Sequence, residues 1–132
     1  MQKRLLPLTG ALALAALMSG PAHAQTEIQW WHSMGGALGE WVNDLAKDFN
    51  ASQTQYKIVP TFKGSYDESM TAAIAAYRAG NAPHILQVFE VGTATMMASK
   101  GAIVPVGKVM TDAGLKFDQN AYVPAVAGYY TA

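Results

Sequence analysis

Tyr66 and Glu90 are the two side chains whose type and setting best suit the capture of a small polar ligand. Tyr66 follows Ser65 in the run Lys63-Gly64-Ser65-Tyr66-Asp67-Glu68. Ser with Glu three residues on is a capping box, so Tyr66 stands in the first turn of a helix. There it is near free backbone N–H groups and the positive end of the helix dipole, a setting that favours an anion. The competing reading is a half-buried aromatic whose hydroxyl points to solvent. Glu90 closes an apolar run and precedes Val91-Gly92. A carboxylate beyond a strand end is a strong acceptor for ligand hydroxyls. The competing reading is that it caps the next helix or is solvated. As a general acid or base it lacks a partner in this stretch, so binding is favoured over catalysis.

Other reactive residue types lead nowhere specific. His32 and His84 are some fifty residues apart, and no H-x-x-x-H spacing or carboxylate cluster accompanies them, which argues against a metal centre. Ser33 lacks the G-x-S-x-G frame of a nucleophile elbow. Gly35-Gly36 is not followed by the Gly-Lys-Ser/Thr of a phosphate loop. Trp30 and Trp31 could offer a stacking surface, but adjacent strand residues face opposite sides, so at most one reaches a given site. Cysteine is absent, which removes disulfide scaffolds, thiolate zinc sites and thiol nucleophiles.

The elements that must position these residues alternate in type. Glu27–Trp31 reads as a strand. Ala37 to about Phe49 carries Leu38, Trp41, Val42, Leu45, Ala46 and Phe49 at helical spacing, and Asn50-Ala51-Ser52 ends it. Tyr56–Phe62 is a second strand. A second helix runs to about Ala79 with Met70, Ala73, Ile74 and Tyr77 inward, and Gly80-Asn81-Ala82-Pro83 stops it. Ile85–Phe89 is the third strand. Gly92 opens a short helix, closed by Lys100-Gly101, and another spans about Lys108–Ala113. Tyr122–Tyr130 holds strand-forming residues interrupted by Pro124 and Gly128. The βαβαβ order predicts an α/β fold with a parallel sheet and right-handed crossovers. Ligands bind beyond the carboxyl ends of such strands. The loops there are His32–Gly36, Lys63–Tyr66 and Glu90–Thr93.

The first 24 residues have the three parts of a secretory signal. Lys3 and Arg4 supply the positive charge, Leu5–Met18 an apolar run, and Ala22-His23-Ala24 a small-residue cleavage site. The apolar run is 14 residues long, short of the ~20 that a spanning helix needs. Cleavage after Ala24 leaves seven basic and nine acidic side chains. No basic stripe survives to follow a nucleic-acid backbone, so nucleic acid is not an expected partner.

Four strings carry a resemblance to a known family: Trp31-His32-Ser33-Met34, Tyr56-Lys57-Ile58-Val59-Pro60, Gly80-Asn81-Ala82-Pro83 and the long Gln87-Val88-Phe89-Glu90-Val91-Gly92-Thr93-Ala94-Thr95-Met96-Met97-Ala98. Together they resemble the periplasmic sn-glycerol-3-phosphate-binding proteins of ATP-driven ABC importers, within the extracellular solute-binding proteins of family 1. The last string is the specific one; Gly-Asn-Ala-Pro is shared more widely among carbohydrate-type receptors. The resemblance implies a two-lobed α/β receptor, periplasmic, without a cofactor. It would close on glycerol-3-phosphate or a glycerophosphodiester and deliver it to a membrane permease. Tyr66 would donate its hydroxyl to the ligand, and Glu90 would accept from glycerol hydroxyls. Further contacts implied by the family, serines, a tyrosine and an arginine, would lie beyond residue 132, so residues 25–132 would be an incomplete N-terminal part of one lobe. A receptor for an unphosphorylated sugar would share the fold but not the long string. A secreted hydrolase would need a nucleophile or paired acids that are missing here. The exported protein is expected to begin at Gln25, and N-terminal sequencing of periplasmic material checks this.

Overall fold

The computed structural model describes residues 25–129. The expected signal segment, residues 1–24, lies outside the described residues. Three strands are present: β1 (Thr26–His32), β2 (Tyr56–Phe62) and β3 (Ile85–Leu86). Helices α1 (Gly36–Ser52) and α2 (Tyr66–Arg78) connect them, and α3 (Glu90–Ala98), α4 (Val106–Asp112) and α5 (Pro124–Tyr129) follow. The sheet is wholly parallel, in the order β2-β1-β3. The fold is therefore α/β, a parallel sheet flanked by helices. Because the chain moves from β1 to one side and then back across to the other, right-handed crossovers put α1 and α2 on opposite faces.

β1 and β2 pair along their whole length, Thr26 opposite Tyr56 through His32 opposite Phe62. β1 and β3 pair only at Trp30–Ile85 and Trp31–Leu86. The third strand is thus shorter than the expected Ile85–Phe89, and side chains explain how. The Gln29 amide donates to His84 Nδ1 at 3.0 Å, and the Ser33 amide donates to Gln87 Oε1 at 2.9 Å. These two side chains take the ladder positions above and below the short backbone pairing. The Gln87 amide still donates to the Trp31 carbonyl at 2.9 Å, but β1 ends at His32, and α3 begins at Glu90 rather than at Gly92.

The outer edge of β2 is occupied by side chains. Asn50 Nδ2 donates to the Ile58 carbonyl at 2.9 Å, and the Ile58 amide donates to Asn50 Oδ1 at 2.7 Å. The Tyr56 amide donates to Gln53 Oε1, and its carbonyl accepts from Gln25 Nε2 and Gln53 Nε2. Asn50 therefore lies inside α1, which runs on to Ser52, rather than ending it.

Val42 and Ala46 on α1 and Ser69 and Ala73 on α2 are buried. Each pair is four residues apart and so shares a helix face; α1 packs on β2, and α2 touches β1. Gly92 lets α3 approach α2, since a Cβ there would lie 2.8 Å from Val88 Cγ1 and 3.1 Å from Met70 Cε. The expected inward set of α2 is only partly covered: Ile74 and Tyr77 are exposed and line an open apolar groove of about 1100 Å³ shared with β3, α3 and α4. On α1, Leu38 and Trp41 are each 59% exposed. Of the stretch from Tyr122, the described residues make no strand: Pro124 takes the first turn of α5, where its missing N–H costs no helix bond. Among the described residues no helix is long and apolar enough to cross a membrane.

Burying a valine such as Val42 contributes roughly 1.5–3 kcal/mol, while ordering each backbone residue costs about 1–2 kcal/mol. With Val42, Ala46 and Ala73 as the buried apolar set among the described residues, residues 25–132 alone are expected to be poorly stable. Calorimetry of that segment should show no cooperative transition; a sharp one with dispersed amide resonances would contradict the expectation.

Candidate functional site

In a parallel sheet of order 2-1-3 the loops leaving β1 and β3 diverge to opposite faces, and a crevice opens between them at the carboxyl end. Three contacts draw the three carboxyl-end loops together there. The Lys63 amide donates to the His32 carbonyl at 2.9 Å, tying the second loop to the first. The Ser33 amide donates to Gln87 Oε1, tying the first to the third. The Tyr66 ring stacks on Phe89 with centroids 5.0 Å apart, tying the second to the third.

The second loop is shaped by its helix cap. Ser65 Oγ accepts from the Glu68 amide at 3.3 Å, and Glu68 Oε2 accepts from the Ser65 amide at 2.7 Å, the capping box expected from the sequence. The Ser65 backbone amide, and after it the Ser65 hydroxyl, favour the ionised carboxylate and hold the Glu68 pKa below its ordinary value. Gly64 is required here, because its φ is +80° and a Cβ would run into the Glu68 carboxylate. With the Ser65 and Glu68 amides used in the box, the Tyr66 and Asp67 amides remain as free donors of the first turn. Tyr66 is half-buried, one ring face against Phe89.

Glu90 is the first residue of α3 and is exposed. Its N-cap, Phe89, makes no side-chain cap bond, so the carboxylate itself complements the positive helix end. Since Phe89 stacks on Tyr66, the starts of α2 and α3 adjoin: Tyr66 makes the contact and Glu90 is the next residue after its partner Phe89. The arrangement presents a phenol, free backbone donors and an acceptor-only carboxylate on one edge. These groups offer donors and an acceptor for hydroxyls.

His32 is 3% exposed, between the rings of Trp30 and Phe62 at 6.0 and 6.1 Å. Its Nδ1 accepts from the Met34 amide at 3.3 Å, which only the neutral ring can do at that nitrogen. Burial disfavours the cation and lowers the pKa below 6.5. His84 stands apart, against the Gln29 amide at the other end of the short β1–β3 pairing. Among the described residues no group of three or more His, Asp or Glu could hold a metal ion. Trp30 and Trp31 do face opposite sides: Trp30 lies by His32, while Trp31 carries the Lys63 ammonium 3.9 Å from its ring centroid. The apolar groove along α2 includes neither Tyr66 nor Glu90.

The sequence reading missed Phe89, Gln87 and the Lys63–Trp31 contact. Trp31 lies opposite Thr61, and Lys63 is two residues further on the same face, so a known register would have paired them.

The chain is 60% identical over 124 residues to the sn-glycerol-3-phosphate-binding periplasmic protein UgpB of Pectobacterium atrosepticum, covering 93% of this chain and 28% of that protein. It is homologous to these binding proteins. The Escherichia coli K12 protein of the same description is 58% identical over 121 residues, 92% of this chain and 27% of its own length. That of Salmonella typhimurium is 58% identical over 120 residues, 91% and 27%. The chain thus spans little more than a quarter of the curated relatives it matches. No protein-family model matches it.

Neutral His32 gives a pH dependence with a definite sign. An unfolded histidine titrates near 6.5 and the folded one lower, so below about pH 6.5 the unfolded chain binds more protons. The contribution is therefore full above that pH and is lost as pH falls through the folded value. Urea midpoints of the full-length protein should fall between pH 7.5 and 5, and His32→Gln should flatten that slope.

Proposed function

We propose that this chain is the N-terminal part of an exported, periplasmic solute-binding receptor. The receptor captures sn-glycerol-3-phosphate, or a glycerophosphodiester, and delivers it to the membrane permease of an ATP-driven importer. It makes and breaks no bond. The observation that carries the reading is the 58–60% identity to sn-glycerol-3-phosphate-binding periplasmic proteins over more than nine-tenths of the chain. Those relatives are solute-binding proteins by description.

The candidate site is compatible with that ligand in chemical detail. Tyr66 donates its hydroxyl to the ligand, and Glu90 accepts from the glycerol hydroxyls. The unused amides at the start of α2 favour negative charge nearby. A carboxylate beside a phosphate ligand is unfavourable unless it meets the hydroxyl-bearing end, so Glu90 orients the ligand with its phosphate away from α3. Contacts from the remainder of the receptor complete the site.

Calorimetric titration of the full-length receptor with sn-glycerol-3-phosphate tests the reading; no heat of binding at millimolar ligand would refute it. Glu90→Gln keeps the shape and one acceptor but loses the charge. A charge-assisted hydrogen bond contributes roughly 1.5–3 kcal/mol, so affinity should drop about ten- to a hundredfold. Unchanged or tighter binding would remove Glu90 from the site.

A further inference from the structure

A phosphate ligand beside Glu90 requires a compensating positive charge, and the sheet supplies one in a specific place. Lys57 is paired with Glu27 at 2.9 Å near the amino end of the strands. Lys108 is paired with Asp112 within α4 at 2.7 Å. Lys47 and Arg78 lie in the last turns of α1 and α2 or close to them, the ends that return to the amino edge of a parallel sheet. Lys63 differs from all of these. It directly follows β2 at the carboxyl edge, three residues before Tyr66, and it takes part in neither ion pair found among the described residues.

Its conformation is fixed at both ends. The backbone is held by the amide bond to the His32 carbonyl at 2.9 Å. The ammonium rests over the Trp31 ring at 3.9 Å, and the residue is half-buried. An indole face attracts a cation but does not neutralise it, as a carboxylate would. The side-chain ordering that a flexible lysine needs before it can meet an anion is thereby largely complete.

We propose that Lys63, seated on Trp31, is a phosphate-recognition residue of this site. It sets a preference for the dianionic monoester, sn-glycerol-3-phosphate, over a monoanionic glycerophosphodiester. The assignment rests on the receptor reading above and deepens it. Trp31 is a positioning residue in this scheme: it holds the charge near the ligand without touching it.

The test is calorimetric titration of the full-length receptor at about pH 7.5, above the second phosphate pKa near 6. The two ligands are sn-glycerol-3-phosphate and its methyl phosphodiester, which brings no second cation. Lys63→Met keeps most of the aliphatic length over the indole and removes the charge. It should weaken the monoester by about tenfold and the diester by only about threefold, because the attraction scales with ligand charge. It should also lessen the salt dependence of monoester binding. Lys63→Arg should stay within about threefold of the parent, since it restores the charge on the same ring. Lys63→Gln repeats the comparison if circular dichroism shows the methionine variant misfolded. Equal losses for both ligands, or none, in a folded uncharged variant would overturn the proposal. If the unsubstituted receptor bound neither ester, the receptor reading itself would fall, and the assignment of Lys63 with it.

Discussion

The parallel pairing of β1 on both of its edges is the constraint on which the rest depends. Amides of the even-numbered residues of β1 turn toward β2, as Thr26 does to the Gln55 carbonyl. Those of the odd-numbered residues turn toward β3, where Gln29 and Ser33 meet His84 and Gln87. Because β1 is central and all three strands point the same way, their following loops must emerge at one edge. The closeness of Tyr66 to Phe89, and so to Glu90, follows from that order.

What is gathered is held by polar contacts more than by packing. The loop from β1 is fixed through the Ser33 amide, the loop from β2 through the Lys63 amide and the capping box, and the loop from β3 through one aromatic stack. Large apolar side chains meanwhile remain on the surface, Leu38 and Trp41 on α1 and Ile74 and Tyr77 on α2 among them. The local geometry of the site therefore depends on bonds of residues next to it in sequence. The stability of the fold depends on surfaces that these residues do not cover by themselves.

The α/β class, the two long helices, the first two strands and the capping box were legible in the sequence because each rests on local pattern. Val42 and Ala46 fall on the buried stripe that the spacing of α1 announces, and Ser65 and Glu68 bond as their separation requires. The third strand was overread because Ile85–Phe89 has strand composition, whereas its length is decided by where β1 stops and by side chains of His84 and Gln87. In the stretch from Tyr122 the sequence showed strand-forming residues interrupted by Pro124 and Gly128, and the interruption prevailed: residues 124–129 form a helix. At the site, Tyr66 and Glu90 were visible as types in suitable positions. Their neighbours Phe89 and Lys63 were not, since stacking and register are properties of the assembled sheet.

The side chains along the outer margin of β2 decide where this sheet can grow. Tyr56 and Ile58 have their outward amides and carbonyls occupied by Gln25, Asn50 and Gln53. Pro60, next on that side, has no N–H to offer. Successive docking points for a foreign strand are thus already taken or lacking, a protection against edge-to-edge aggregation. A polypeptide still seeking partners meets a margin at β2 that is blocked from Tyr56 to the missing N–H of Pro60. A strand joining this sheet meets fewer taken positions alongside β3 than along the first half of β2.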